Sequence, residues 1–449
     1  MEILVKIGQF LLSLSILVVL HELGHFTFAK IFKTRVEKFY MFFNPGFSLF
    51  KFKKGETEYG IGWIPLGGYV KISGMIDESM DKEQMKLPPK PYEFRSKPAW
   101  QRLFIMIGGV LVNFVLAFLI YTSVLYTWGE QYLPAENVKY GVVCDSLAQS
   151  IGLQNGDKIV ALDHQKIKKY KEIVPNIILN NPKTIQVVRN NEEKTIEVPT
   201  SFVPELLAHS SKGFSMSSTI SLRYPLDKLS VGRLQKDFPA KKAGFKVGDK
   251  IALVDSLSFQ YYDEFQSYLL KHRSQKVTVV LNRNGQEVKT NLELTEEGKM
   301  GFNVQESEKI FEFKTIKYGF LESIPAGIGK GIHSLDSYLK QFKLIFSSKT
   351  KAYKSIGGFI TIGNIFPGVW DWHVFWNLTA FLSIILAIMN ILPIPALDGG
   401  HVLFLLYEMI TGRKPGDKFM EYAQVAGMII LFGLLIFANA NDIIKLFSK

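Results

Sequence analysis

The chain has 449 residues, of which 47% are hydrophobic and 35 are phenylalanine, and its mean hydropathy is +0.11. That is too apolar for a soluble protein of this size, and the excess collects in a few long runs, as in a membrane protein that carries soluble modules. A net charge of +12 would suggest a nucleic-acid partner on a soluble protein, but no zinc-knuckle or helix-turn-helix pattern is present. The basic residues are therefore read as anchors against anionic lipid, with membrane lipid as partner and no nucleic acid. Cys144 is the only cysteine, so an internal disulfide is excluded.

The first apolar run, Ile3 to Phe32, is longer than the core of a signal peptide and lacks a small-residue cleavage site, so it reads as a retained anchor. The next segment opens with a Gly-rich alternating stretch (residues 59–75) that suggests a hairpin or curved sheet. It ends in a charged, Pro-rich loop from Asp77 to Pro91. A second apolar run covers Arg102 to Trp128, a third Val374 to Leu406, broken by Pro393 and Pro395, and a fourth Tyr422 to Ala438. Between the second and third runs the chain is polar with short strand-like segments. Ser150–Asp163 (SIGLQNGDKIVALD) and Lys242–Asp255 (KAGFKVGDKIALVD) form an internal repeat offset by 92 residues. That period is too long for a solenoid and fits two tandem small domains. The stretch from Ile310 to Lys351 is basic with apolar residues at helical spacing, and reads either as a helix lying on the membrane surface or as one packed on the soluble domains.

The expected organisation is a first membrane helix over 1–32, a cytoplasmic-side loop over 33–101 and a second helix over 102–128. Two small domains follow over 129–205 and 206–305, then an amphipathic juxtamembrane region over 306–372. A third helix covers 373–410, and a loop with the fourth helix covers 411–449. Twelve Lys and Arg fall in 33–101 and three in 411–420, so both loops are assigned to the cytoplasm and the tandem domains to the outside.

The chemistry is carried by His21-Glu22-Leu23-Gly24-His25, an H-E-x-x-H pattern. On a helix, residues four apart share a face, so both imidazoles can reach one Zn²⁺, and Glu22 beside them can take a proton from an attacking water. Two His and a Glu inside a lipid span are expensive unless they do something. A catalytic zinc needs a third protein ligand. The candidate is Asp398, a lone carboxylate in the third apolar run within NILPIPALDGGH (390–401), with His401 as its rival.

HELGH in the first span together with LDGG in the third resembles the site-2 protease family. IPLGGYVK (64–71), FRSKPAWQR (94–102), GGVLVNF (108–114) and the tandem repeat resemble its bacterial regulator-of-sigma-E protease branch. Gly109-Val110 stands where that branch usually has Gly-Pro, and Ser355-Ile-Gly-Gly-Phe-Ile matches its Ser-Gly-Pro pattern only loosely. The resemblance implies a polytopic α-helical membrane protein with four transmembrane helices, a cytoplasmic-side reentrant β-hairpin and two tandem periplasmic PDZ domains of α+β type. It implies a location in the bacterial inner membrane, with the active site towards the cytoplasm. It further implies a zinc-dependent intramembrane endopeptidase in a stress response. Its substrates would be single-span membrane proteins, either anti-sigma factors after a first trimming or remnant signal peptides. His21, His25 and Asp398 then bind the metal and Glu22 is catalytic. Asn390, Pro393, Pro395, Gly67 and Gly68 are candidates for substrate binding, and His401 and Asn113 for support of the ligands. The PDZ domains either bind extended peptides or exclude substrates with large outer domains. An alternative is a catalytically inert scaffold that binds envelope proteins through its PDZ domains.

Overall fold

The computed structural model describes every residue except Leu66, 76–86, 212–215, 346–355 and 448–449. Most of the charged loop expected at 77–91, the end of the amphipathic stretch (346–351) and Ser355 lie outside the described residues. The chain divides into a helical unit (residues 1–130, 317–343 and the C-terminal part) and a strand-rich unit (residues 131–316).

In the helical unit, four helices among the described residues are long and apolar enough to cross a membrane. Helix α1 (Glu2–Ile31) has an acidic residue in its first turn and Lys30 in its last, matching the helix dipole. Four strands follow: β1 (Val36–Met41), β2 (Phe50–Lys54), β3 (Thr57–Ile61) and β4 (Tyr69–Ile72). Their order is β2-β3-β1-β4, with β3 parallel and β4 antiparallel to β1. The Gly-rich stretch, expected as a hairpin or a curved sheet, thus contributes two strands that do not pair with each other. Its two strands flank β1, and the tight hairpin lies one strand earlier, between β2 and β3, where Gly55 takes φ 63°.

Helix α2 (Ala99–Trp128) is the central span. Helix α3 (Phe320–Ile345) packs a face of small residues on it. A Cβ at Gly327 would lie 2.3 Å from Thr122 Oγ1, and Ser323 and Gly331 share that face. Lys330 donates to Asn377 Oδ1 at 2.7 Å. Residues 317–343 of the amphipathic segment thus belong to the helical unit, whereas Ile310 and Phe311 at its start are buried in the core of the strand-rich unit, and Leu321, Ile324 and Ile332 stay exposed.

Helix α4 (Phe359–Asn364) is short. The third apolar run is two helices, α5 (Trp372–Ile391) and α6 (Asp398–Thr411), rather than one over 373–410. Asp371 caps α5 through Val374 N at 3.1 Å. The helix ends at Leu392 because a residue before proline disfavours helical ψ. Helix α7 (Asp417–Phe447) is the last span. Hydrogen bonds inside the bundle tie α5 to its neighbours: Thr379 Oγ1 donates to Ser13 Oγ at 3.0 Å, and Ser383 Oγ to the Asn113 carbonyl at 2.8 Å.

The strand-rich unit holds two lobes built on one plan. Asp157 and Asp249, the aspartates of the repeat, are both buried. Each is gripped by an arginine from a later strand. Arg189 Nε meets Asp157 Oδ1 at 2.7 Å, and Arg283 Nε meets Asp249 Oδ1 at the same distance. Each also accepts a backbone N–H at 2.8 Å, from Gln154 and Lys246 respectively. The strand Ile220–Leu222 pairs with Val142–Cys144, and Phe202, Leu206 and Ile220 fill the first lobe's core. The first lobe therefore runs to about residue 222, beyond the boundary expected at 205, because its closing strand follows the helix Phe202–Ser211.

Candidate metal centre

Helix α1 presents His21 and His25 one turn apart, both 7% exposed, with their Nε2 atoms separated by 3.3 Å. They fit against α2 because glycines meet there. A Cβ at Gly24 would lie 2.3 Å from the Gly108 carbonyl oxygen, and one at Gly109 would lie 2.5 Å from His25 Nε2.

The tautomers follow from what the other ring nitrogens touch. His25 Nδ1 lies 2.9 Å from the Ile105 carbonyl oxygen. A carbonyl only accepts, so Nδ1 carries the proton and Nε2 keeps its lone pair. His21 Nδ1 lies 3.0 Å from the side-chain amide of Asn113, whose Oδ1 is buried without a partner. Turning that amide over lets Oδ1 accept from His21 Nδ1–H, which satisfies both groups and frees Nε2 of His21 as well.

The third member arrives from the break between α5 and α6. There Ile394 N donates to the Leu392 carbonyl at 2.7 Å and Leu397 N to that of Ile394 at 2.9 Å. Ala396 takes φ 93°, a strained conformation for a residue with a Cβ. The turn delivers Asp398 at the start of α6, with Oδ2 at 3.2 Å from His21 Nε2 and 3.3 Å from His25 Nε2. Oδ2 is buried and makes no hydrogen bond. An ion pair between Arg102 of α2 and Glu408 of α6 ties the helix that carries Asp398 to the central span.

Three electron-pair donors thus converge with no hydrogen between them, an arrangement that is unfavourable unless a cation joins them. The fit to zinc is geometric. Ligands about 2.0–2.1 Å from a tetrahedral ion sit about 3.3 Å apart, and the three separations here are 3.3, 3.2 and 3.3 Å. Among the described residues, these three alone form such a group.

The centre opens into a cavity of about 520 Å³. Glu22, Gly67, Gly68, Asn390 and His401 line it, and Asn390 Nδ2 stands 3.2 Å from His21 Nε2. Pro393 and Pro395 do not line it. Ala396 and Leu397 do, because the prolines hold the break while the residues after them face the space. His401 lies outside the convergent group, and Asp398 takes the third position. β4 lines the cavity along its whole length, and it is the edge strand of its sheet. Sequence reasoning missed the Arg102–Glu408 pair, because each charge stands at the edge of an apolar run. Gln424, a polar residue that stands out in the fourth apolar run, also lines the cavity, from α7.

Comparison with known proteins shows the family. The model of Peptidase family M50 matches residues 9–434. The chain is 28% identical to the regulator of sigma E protease of Haemophilus influenzae over 472 residues, covering 99% of this chain and 100% of the relative. Two further relatives carry zinc metalloprotease in their names. One, from Vibrio cholerae, is 28% identical over 471 residues, covering 99% of this chain and 100% of the relative. The other, from Campylobacter jejuni, is 28% identical over 447 residues, covering 98% of this chain and 93% of the relative.

Proposed function

The chain belongs to Peptidase family M50 and is a zinc metalloprotease of the membrane, and from that premise we propose that it cuts peptide bonds of single-span membrane proteins within the bilayer. The observation that carries the reading is the convergence of His21, His25 and Asp398 between helices long enough to span a membrane, beside β4, an edge strand of its sheet. A water-soluble substrate would not require the centre to be built between spanning helices.

Zinc held by His21, His25 and Asp398 would acidify a water and polarise the scissile carbonyl. The remaining steps belong to the chain's own residues. Glu22 takes the proton from the attacking water and hands it to the leaving amine. Asn390 donates its amide N–H to the carbonyl oxygen as negative charge develops there. A helical substrate hides its peptide groups in its own hydrogen bonds, so it must unwind first. β4, at the edge of its sheet, supplies replacement bonds to the extended segment. Asn113 and the Ile105 carbonyl hold the two imidazoles with Nε2 facing the centre.

The two lobes of the outer unit are read as tandem PDZ domains on the periplasmic side of a bacterial inner membrane, with the centre nearer the cytoplasm. They act as a filter against substrates with large outer domains. Anti-sigma factors already shortened by another protease, and leftover signal peptides, meet that requirement. In detergent or liposomes, the purified enzyme should cleave a single-span substrate, and Glu22→Gln should lower the rate by roughly 10²–10⁴-fold with zinc retained. Normal cutting by Glu22→Gln would refute the assignment of the base.

A further inference from the structure

Gln424 sits on α7 and is 4% exposed. Its side chain lines the cavity of the metal centre. Most of the helix around it faces outward: Phe419, Tyr422 and Ile429 are 60%, 74% and 67% exposed. A glutamine is costly in an apolar span, so its place in the cavity wall requires an explanation.

The position of Gln424 is firmly set. One turn along the same face, Gly427 rests on the break that delivers Asp398, where an added Cβ would lie 1.3 Å from the Pro395 carbonyl oxygen. No residue other than glycine fits, and the contact fixes how α7 meets the cavity. β4 reaches the same cavity from another wall, packed on α1.

An extended substrate has two hydrogen-bonding edges. One can pair with β4. The peptide groups on the other edge would face a dry site with no partner, and each unsatisfied group opposes unwinding. A primary amide offers both an acceptor oxygen and N–H donors, the complement of one backbone peptide unit. We propose that Gln424 binds the substrate backbone directly, pairing with one peptide group on the edge that β4 leaves free. This rests on the reading of an extended substrate beside β4. It makes Gln424 a substrate-binding residue that acts on any sequence, since it reads backbone rather than side chain.

The test uses the full-length, zinc-loaded enzyme in liposomes with a single-span substrate. Gln424→Leu and Gln424→Met place apolar side chains in an apolar span, so zinc content and thermal stability should match wild type. Both should lower kcat/KM by roughly 10-fold or more, the loss of one well-made hydrogen bond. A second series replaces single substrate amides by esters around the cut. At one position the ester should slow the wild type by roughly 10-fold yet leave Gln424→Leu unaffected, because the bond it removes is already gone. Wild-type kcat/KM in both variants would overturn the proposal, as would ester and variant losses that multiply at every position. Glu22→Gln run alongside separates the two levels. If it is inactive while the Gln424 variants cut normally, only the role of Gln424 falls. If it cuts as well as wild type, the mechanistic reading beneath falls too.

Discussion

Three aspartates, two in the strand-rich unit and one between the helices, show how differently a protein can answer a carboxylate it takes out of bulk water. Asp157 and Asp249 are 0% and 1% exposed, and each is met by an arginine fork and a backbone N–H. Their charge and lone pairs are used up within the fold, and they hold one turn of each lobe to a later strand. Asp398 is offered only the lone pairs of two imidazoles at its Oδ2. The fold brings an acceptor to acceptors and holds it there with a strained turn and an interhelical ion pair. A satisfied carboxylate is architecture, and one aimed at other acceptors is a request for a cation.

Breaking the satisfied pairs should unfold structure without touching chemistry. Asp157→Asn leaves Arg189 without its counter-charge and should destabilise the first lobe by about 3 kcal/mol. Cys144 reports on this directly. Burial, with the nearby Asp157 and Asp145 carboxylates, pushes its thiol up to about 12, so it reacts with alkylating agents only when the lobe opens. Its labelling should accelerate roughly 100-fold in Asp157→Asn, while zinc content stays at the wild-type level. An unchanged labelling rate would remove the structural half of the contrast.

Asn113 sharpens the other half. Asn113→Leu removes the acceptor that holds the His21 tautomer and should weaken zinc binding by about 10–100-fold, read by competition with a chelator. Asn113→Asp keeps an acceptor at that place and should retain most of the affinity. Equal loss in both variants would show that the side chain matters for packing rather than for the ring proton.

The smallest effect is one of pH. Burial pushes the Asp249 carboxyl up, but the Arg283 fork and the Lys246 N–H outweigh it and hold the group below the usual carboxylate range. A value lower in the folded than in the unfolded chain, about 3.9, means the stabilisation is complete above that pH and is lost as pH falls through the folded value. Hydrogen-exchange protection of residues 229–306 should be level above about pH 5 and decline below about pH 4. A decline already beginning near pH 6 would point to a different group.

Much of this was legible in the sequence where the signal is local. Residues four apart in HELGH share a helix face, the apolar runs state their own length, and a carboxylate inside one of them stands out. What was hidden depends on partners far along the chain. The repeat marked Asp157 and Asp249, but Arg189 and Arg283 lie outside the repeated segment, so the ion pairs could not be read from it. β1 takes its place between β3 and β4 through pairing that no turn motif announces, which is why the sequence leaves hairpin and curved sheet both open for the Gly-rich stretch. The prolines drew attention as cavity walls because they break the helix, whereas Ala396 and Leu397, released by that break, face the space. Arg102 and Glu408 each look like a flanking charge until the two helices are side by side.

The most direct test is the zinc content and zinc X-ray absorption spectrum of the purified wild type, Asp398→Asn and Asp157→Asn proteins. The wild type and Asp157→Asn should each hold roughly one zinc per chain in a shell containing two imidazole nitrogens and a carboxylate oxygen, and Asp398→Asn should lose most of it. Full zinc occupancy with an unchanged spectrum in Asp398→Asn would contradict the account.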